Sequence, residues 1–317
     1  MILKRIQSRI EKLQQTNYKS FYLAFLRIAI SIWLLKEVCI NWSSMDMLYG
    51  HSAFIVPENN IIRRFSEDYL IVKDYYVWFI FFYSVIIVFN MLGIGRRVTA
   101  VLLFINLYLL QKMNWSIFNG GDLMARLIVF YLIFADSYQY FVLFKNKNKA
   151  RQLRKLTNLV SNLAALSIML QLCIAYFSTG LGKLNTDLWK SGEAVYYAML
   201  NERFMGTPYN RWLVQHKWID YTANYATLVF ELGFPFLIWF KKLRPTLLIT
   251  GIIFHLGIYI FLMIYGFQIV FLLIYGLFLP NDLLLKYAGK VNTFFGGGQG
   301  ALSRYIGLSD EPIPVSR

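Results

Sequence analysis

The chain has 317 residues, of which 57% are hydrophobic, 18% aromatic and only 15% charged, with a mean hydropathy of +0.47. A soluble domain carries about a quarter charged residues, so the polar material here is too scarce to cover a water-facing surface, and an ordinary soluble fold is excluded. The net charge of +15 would suggest nucleic acid as a partner in a soluble protein; in a membrane protein basic residues mark cytoplasmic loops instead, so none is expected.

In chain order, residues 1–20, MILKRIQSRIEKLQQTNYKS, have no continuous apolar core. They read as a basic amphipathic lead-in, not as a cleavable signal peptide. About eight apolar runs follow, each near the roughly 20 residues that cross a hydrocarbon layer. They span 21–42, 76–92, 97–114, 121–140, 158–181, 220–240, 245–263 and 265–280. Only NWSIFNGGD separates the third from the fourth, and only Tyr265 and Gly266 separate the last two, so seven spans or a re-entrant pair fit as well. Basic residues gather in the leader, at Arg96 and Arg97, in 145–155 and at Lys241, Lys242 and Arg244. These segments share one side if the spans alternate from a cytoplasmic N-terminus, whereas the loops 43–75 and 182–219 mix both signs. The expectation is an all-α, multi-pass bundle of about eight transmembrane helices in the bacterial inner membrane, in contact with lipid, with both termini cytoplasmic. It comprises a basic segment 1–20, a membrane domain 21–282 and an interfacial tail 283–317. No internal repeat is visible.

Charged groups within spans are costly and are either paired or functional. Lys36 and Glu37 lie near the outer end of the first span and can snorkel, and the long stem of Arg27 can reach the inner interface. Arg126 and Glu231 are deep enough to need a partner, either as a packing pair or as the lining of a site. His255, in ITGIIFHLGIYIF, is the only histidine in a span; His51 and His216 fall in outer loops. No pair of ligands stands at metal spacing and the two cysteines, Cys39 and Cys173, build neither a disulfide scaffold nor a zinc site, so no metal is expected. HExxH, phosphate-loop, Gly-x-Ser-x-Gly and CxxC motifs are all missing, which removes support for hydrolase, ATPase and thiol-redox chemistry.

The stretch YFSTGLGKLNTDLWKSGEAVYYAM, residues 176–199, ends the fifth apolar run at its outer mouth. Lys183 follows small residues there and precedes Trp189. A lysine at a lipid boundary serves as a snorkelling anchor. Partly removed from water, it can instead offer a neutral amine as a base. Asp122, in NGGD at 119–122, is expected at the same outer side.

This stretch resembles the signature of the horizontally transferred transmembrane (HTTM) domain, shared by vitamin K-dependent gamma-carboxylases and many bacterial membrane proteins. The matching residues are Tyr176, Phe177, Gly180, Lys183, Leu184, Trp189 and Gly192, with one extra residue before Trp189. FNGGDLMARLIVFYLIFADS resembles the family's entry into a span that ends in Asp. FELGFPFLIWF and FHLGIYIFLMIYGFQIVFLL, with Glu231 and His255, resemble its C-terminal core. The resemblance implies that Lys183 is a catalytic base toward a reduced, vitamin K-type quinone, in a dry apolar cavity. Asp122, Arg126, Gln139, Tyr176, Trp189, Glu231 and His255 are then candidate cavity or substrate-binding residues. Gln139, in ADSYQYF, stands where the carboxylases carry a histidine. The carboxylases also continue into a large lumenal region, whereas this sequence has a short tail. In length and layout it resembles the sporulation-delaying protein B family, which helps mature a secreted peptide toxin.

The expected function is modification or maturation of a secreted peptide or protein on the extracytoplasmic side, with a quinone-type cosubstrate. If enzymatic, the chemistry is carboxylase- or epoxidase-like. The alternative is a non-enzymatic membrane scaffold or export component, with a partner subunit, in which Lys183 only anchors its span. A transporter is disfavoured by the missing repeat and the lack of broken-helix signals.

Overall fold

The computed structural model describes residues 2–50, 74–144, 151–264 and 266–294. His51 with most of the loop 43–75 expected on the outer side, the basic run 145–150 and the tail from 295 onward lie outside them. Helices account for all the regular structure in the described residues, apart from one isolated backbone bridge between Met205 and Leu262. The physical reason is that an apolar segment without water has to satisfy its own N–H and C=O groups, and a helix does so within one segment.

Fourteen helices are named in chain order: α1 Ile2–Gln15, α2 Ser20–Ile40, α3 Met45–Tyr49, α4 Tyr76–Leu92, α5 Arg97–Met113, α6 Gly120–Phe134, α7 Arg151–Leu184, α8 Asp187–Ser191, α9 Ala194–Leu200, α10 Tyr209–Leu213, α11 Lys217–Leu237, α12 Arg244–Phe261, α13 Phe267–Tyr275 and α14 Asn281–Phe294. Each of the eight apolar runs falls on one of them: α2, α4, α5, α6, α7, α11, α12 and α13. Length and apolarity alone qualify two as membrane-crossing, α7 and α12; α13 with its following turn does so only when joined to α14. The others fall short for local reasons. α2 carries Arg27, Lys36 and Glu37, and α4 and α5 have 17 residues each, about 25 Å at a helical rise of ~1.5 Å. α6 stops at Phe134, six residues before the expected 140, and residues 135–144 are irregular.

The chain divides into two compact units. The first contains residues 1–165 and 279–317. Its apolar centre is Leu23, Leu26 and Ile30 of α2 with Ile87 of α4, Leu103 of α5 and Ile128 of α6, all 0–1% exposed. Arg27 is buried in this centre and does not reach an interface. Its guanidinium donates to the Phe141 carbonyl and lies 5.0 Å from the centroid of the Tyr138 ring. Asp136 N donates to Ser161 Oγ (2.9 Å), and Asn17 Nδ2 donates to the Asp136 carbonyl (3.3 Å), so residues after α6 are held by side chains of two other segments. Lys36 and Glu37 form a half-exposed pair with each other, 2.6 Å apart.

The second unit contains residues 166–278. Ile168 and Leu172 of α7, Phe234 of α11 and Val270 and Ile274 of α13 are its fully buried centre. The loop between α9 and α10 is fixed to the end of α12: Gly206 N donates to the Phe261 carbonyl at 3.0 Å and Asn210 Nδ2 to the same oxygen at 2.7 Å.

Gly93 ends α4 in the left-handed region, at φ +72, and a Cβ there would stand 2.6 Å from Val142 and 2.8 Å from the Arg27 guanidinium. Gly257, inside α12, has open space where a Cβ would go. Gly93→Ala is therefore expected to destabilise the protein by about 1–3 kcal/mol. Gly257→Ala should be neutral or stabilising by up to about 1 kcal/mol, since alanine loses less backbone freedom in a helix. Thermal melts of both variants in the same detergent check the opposite signs.

Candidate functional site

α7 presents Tyr176, Gly180 and Lys183 at spacings of four and three, which puts them on one face. α11 answers with Phe230, Glu231 and Phe234. The two helices approach closely because position 180 has no side chain: a Cβ there would meet Leu232 Cδ2 at 2.9 Å and Glu231 Cβ at 3.3 Å. That approach lets Lys183 Nζ pair with Glu231 Oε1. The pair is unevenly placed: the carboxylate side chain is 5% exposed and the lysine 24%, so the acid lies inside and the amine at its lip. Thr179 stands beside the same carboxyl, but its hydroxyl donates to the carbonyls of Ala175 (2.9 Å) and Tyr176 (3.0 Å). Glu231 Oε2 is buried and accepts no hydrogen bond.

Trp189 closes the outer side of the amine, with its ring centroid 4.9 Å from Lys183 Nζ. A cation over an indole face at this distance is attracted by the ring quadrupole. The tryptophan is positioned by its own backbone and by the end of α8. Its carbonyl accepts from Asn224 Nδ2 of α11 at 2.9 Å, and Asn224 is fully buried. Gly192 then ends the helix at φ +84, where a Cβ would stand 2.3 Å from the Tyr221 ring.

Two turns below Lys183, about 10 Å along the helix, Tyr176 starts a second buried arrangement. Its hydroxyl lies 2.7 Å from His255 Nε2 and 2.7 Å from the Tyr275 hydroxyl. His255 is fully buried, and its Nδ1 has no hydrogen-bond partner. Phe230, Phe234 and Phe271 surround the Tyr176 ring with centroids 4.9 to 5.8 Å away. Gly251 makes the arrangement fit, since a Cβ there would collide with the Tyr275 hydroxyl at 2.0 Å.

The residues singled out in the sequence thus separate into two groups. Lys183, Glu231, Trp189, Tyr176 and His255 all belong to the second unit and form the linked set just described. Asp122, Arg126 and Gln139 belong to the first unit, where each has a local partner. Asp122 Oδ2 accepts from Asn119 N (2.7 Å), and the Asn119 side chain accepts from Gly121 N (2.7 Å) and Asp122 N (3.4 Å), which caps the start of α6. Arg126 lies 5.5 Å from the Tyr108 ring centroid, across from α5. Gln139 Nε2 donates to Asp136 Oδ2 at 3.3 Å. Tyr275, Gly251 and Asn224 carry weight in the site without a sequence signal of their own. Tyr275 is one of 22 tyrosines, in an unbroken apolar run.

Neither the curated proteins nor the solved structures contain a match to the chain. The HTTM domain family model matches residues 16–283, a stretch that includes both helices of the Lys183–Glu231 pair and the whole of the Tyr176 network. With most of its length covered, the chain belongs to the HTTM domain family, a family of membrane proteins that includes relatives of the carboxylases.

Proposed function

We propose that this protein modifies or matures a secreted peptide on the extracytoplasmic side of the bacterial inner membrane, with Lys183 as the catalytic base and a reduced quinone-type molecule as cosubstrate. The observation that carries the reading is the uneven Lys183–Glu231 pair, a buried carboxylate holding an amine at the lip of an aromatic-walled interior. The chain's own residues fit a flat, apolar molecule with ring hydroxyls. Tyr176, Phe230 and Phe234 pack on one another as an aromatic lining that such a molecule would have to part, and the buried Glu231 Oε2 and His255 Nδ1 each lack a partner. Such a molecule, when bound, supplies an ionisable hydroxyl and reducing electrons. Lys183 first passes its proton to Glu231 across the pair; the free amine then takes the hydroxyl proton at Nζ, and Glu231 Oε1 accepts a hydrogen bond from the ammonium that results. Trp189 covers one side of that amine, and the carboxylate behind it is nearly out of water, where each polar interaction is stronger.

In this reading residues 21–282 form one multi-pass membrane domain of about eight spans, with both termini cytoplasmic. The segment 1–20 and the tail 283–317 flank it on that side. The cation–π contact at Trp189 and the ion pair also favour a second reading, a membrane scaffold or export component in which Lys183 fixes α7 to α11 and does no chemistry.

Lys183→Arg and Lys183→Met separate the two. Arginine keeps the charge, the reach and the contact with Trp189, but it does not give up its proton at neutral pH. If Lys183 is the base, both variants accumulate in the membrane as the parent does, and formation of the modified peptide falls by about 10²-fold or more, the usual contribution of a positioned base. Mass spectrometry of the secreted peptides, with membrane abundance measured by immunoblot, reads both quantities. An active Lys183→Arg protein ends the base proposal and leaves the scaffold reading.

Topology is tested separately, in a background without Cys39 and Cys173. Single cysteines at Ser191 and Gln152, both exposed positions, are labelled in intact cells with a membrane-impermeant maleimide. Ser191→Cys is expected to react and Gln152→Cys to stay protected until the membrane is opened. The reverse pattern overturns the orientation.

A further inference from the structure

α1 has a face that nothing in its own composition explains as core. Ile6, Ile10 and Leu13 recur at spacings of four and three and form one stripe, yet Ile6 is 49% and Ile10 41% exposed. Arg9, Arg5 and Lys12 run along one side of this stripe and Lys4 stands further round the helix, all exposed. The helix has one acidic residue, Glu11, and its carboxylate accepts from Gln7 Nε2 at 3.2 Å.

The end of α1 is built into the fold. Asn158 Nδ2 donates to the carbonyls of Gln14 (3.1 Å) and Gln15 (3.2 Å). Asn162 Nδ2 donates to those of Leu13 (2.9 Å) and Thr16 (2.7 Å), while its Oδ1 accepts from Tyr18 N at 3.0 Å. Both asparagines are buried on α7 and satisfy the carbonyls that a helix end leaves open. Arg151 and Lys155 lie at seven and three residues before Asn158, on the same face of α7 that holds α1. Arg154 and the exposed Leu153 and Leu156 adjoin them. Within residues 2–15 and 151–162 the basic side chains are Lys4, Arg5, Arg9, Lys12, Arg151, Arg154 and Lys155, against Glu11 alone.

We infer that α1 is an interfacial arm that lies on an anionic lipid surface, its Ile6–Ile10–Leu13 stripe at the boundary between headgroups and acyl chains and its basic residues, with those at the start of α7, on the lipid phosphates. An apolar stripe bordered by lysine and arginine on a helix of low overall hydrophobicity is the pattern that binds bilayer surfaces in plane. Nucleic acid would meet the charges but leave Ile6 and Ile10 in water. The asparagine clamp fixes where the arm is hinged, so its surface contact is intramolecular and needs no high intrinsic affinity. The inference rests on the chain being a membrane protein and is independent of any role for Lys183.

The test uses the full chain without its native cysteines, carrying one spin label at Ile10→Cys or at Ser8→Cys, which lies off the apolar stripe. Each protein is reconstituted in nanodiscs of phosphatidylcholine alone or mixed equally with phosphatidylglycerol, and accessibility to oxygen and to a water-soluble nickel chelate is measured. The expected result is that position 10 favours oxygen and position 8 favours nickel in the anionic discs, with the contrast reduced in the zwitterionic ones. Lys4→Glu, Arg5→Glu and Arg9→Glu together should abolish it, each basic residue shifting the bound-to-free equilibrium constant about fivefold. The lipid comparison keeps every basic residue, so it does not depend on how the charge variant folds. Equal profiles in the two lipids overturn the inference. So does a profile in phosphatidylcholine discs that inorganic phosphate converts to the anionic one, which would mark a phosphate-ion site. Displacement of the label from anionic discs by an RNA oligomer at physiological salt also overturns it.

Discussion

A carboxylate taken out of water has to find a cation or lose its charge, and Glu231 finds Lys183. Much of the second unit follows from that requirement. The pair forms only if α7 and α11 touch, and they touch because Gly180 has no side chain between them. The ammonium, drawn inward by the acid, leaves its outer side to Trp189, which Asn224 holds through its backbone carbonyl. Gly192 then turns the chain sharply enough for α8 to stay short. The residues that carry the family signature are thus a set of dependent parts around one charge pair, with Tyr176 continuing it into the interior.

The first unit solves the same problem with different chemistry. Arg27 is fully buried among the core residues, and it is met by a carbonyl and an aromatic face. Asn17, Ser161, Asn158 and Asn162 satisfy the backbone groups that the ends of α1 and α6 leave open. At the ends of α1 and α6, neutral side chains from distant segments complete the backbone, as buried N–H and C=O groups require.

How much of this was legible in the sequence depends on the range of the interaction. The eight apolar runs each fall on a helix because helicity in an apolar segment is a local necessity. The early end of α6 was not legible, since Asp136 is held by Asn17 and Ser161, far away in sequence. Glu231 and Arg126 were visible as groups in need of partners, but the partners, Lys183 at 48 residues' distance and the face of Tyr108, come from tertiary packing. Asp122 drew attention as an acid at an outer mouth. Asn followed three residues later by a carboxylate is also a helix-start signal, and the structure uses it as one. Tyr275 and Gly251 had no signal, because a tyrosine and a glycine in an apolar run look alike whether or not they touch.

The Tyr275–Tyr176–His255 chain has a property that neither end has alone. Each hydroxyl can give or receive, and the imidazole can carry its proton on either nitrogen, so the heavy-atom positions admit two opposite orders of donation. The two orders have opposite dipoles and differ by no movement of backbone or ring. A buried line of this kind is an electrical two-state element. A change of charge two turns away, at the Lys183–Glu231 pair, would favour one polarity over the other, and through the imidazole tautomer that preference decides whether the unpartnered Nδ1 of His255 carries the proton, without any helix having to shift.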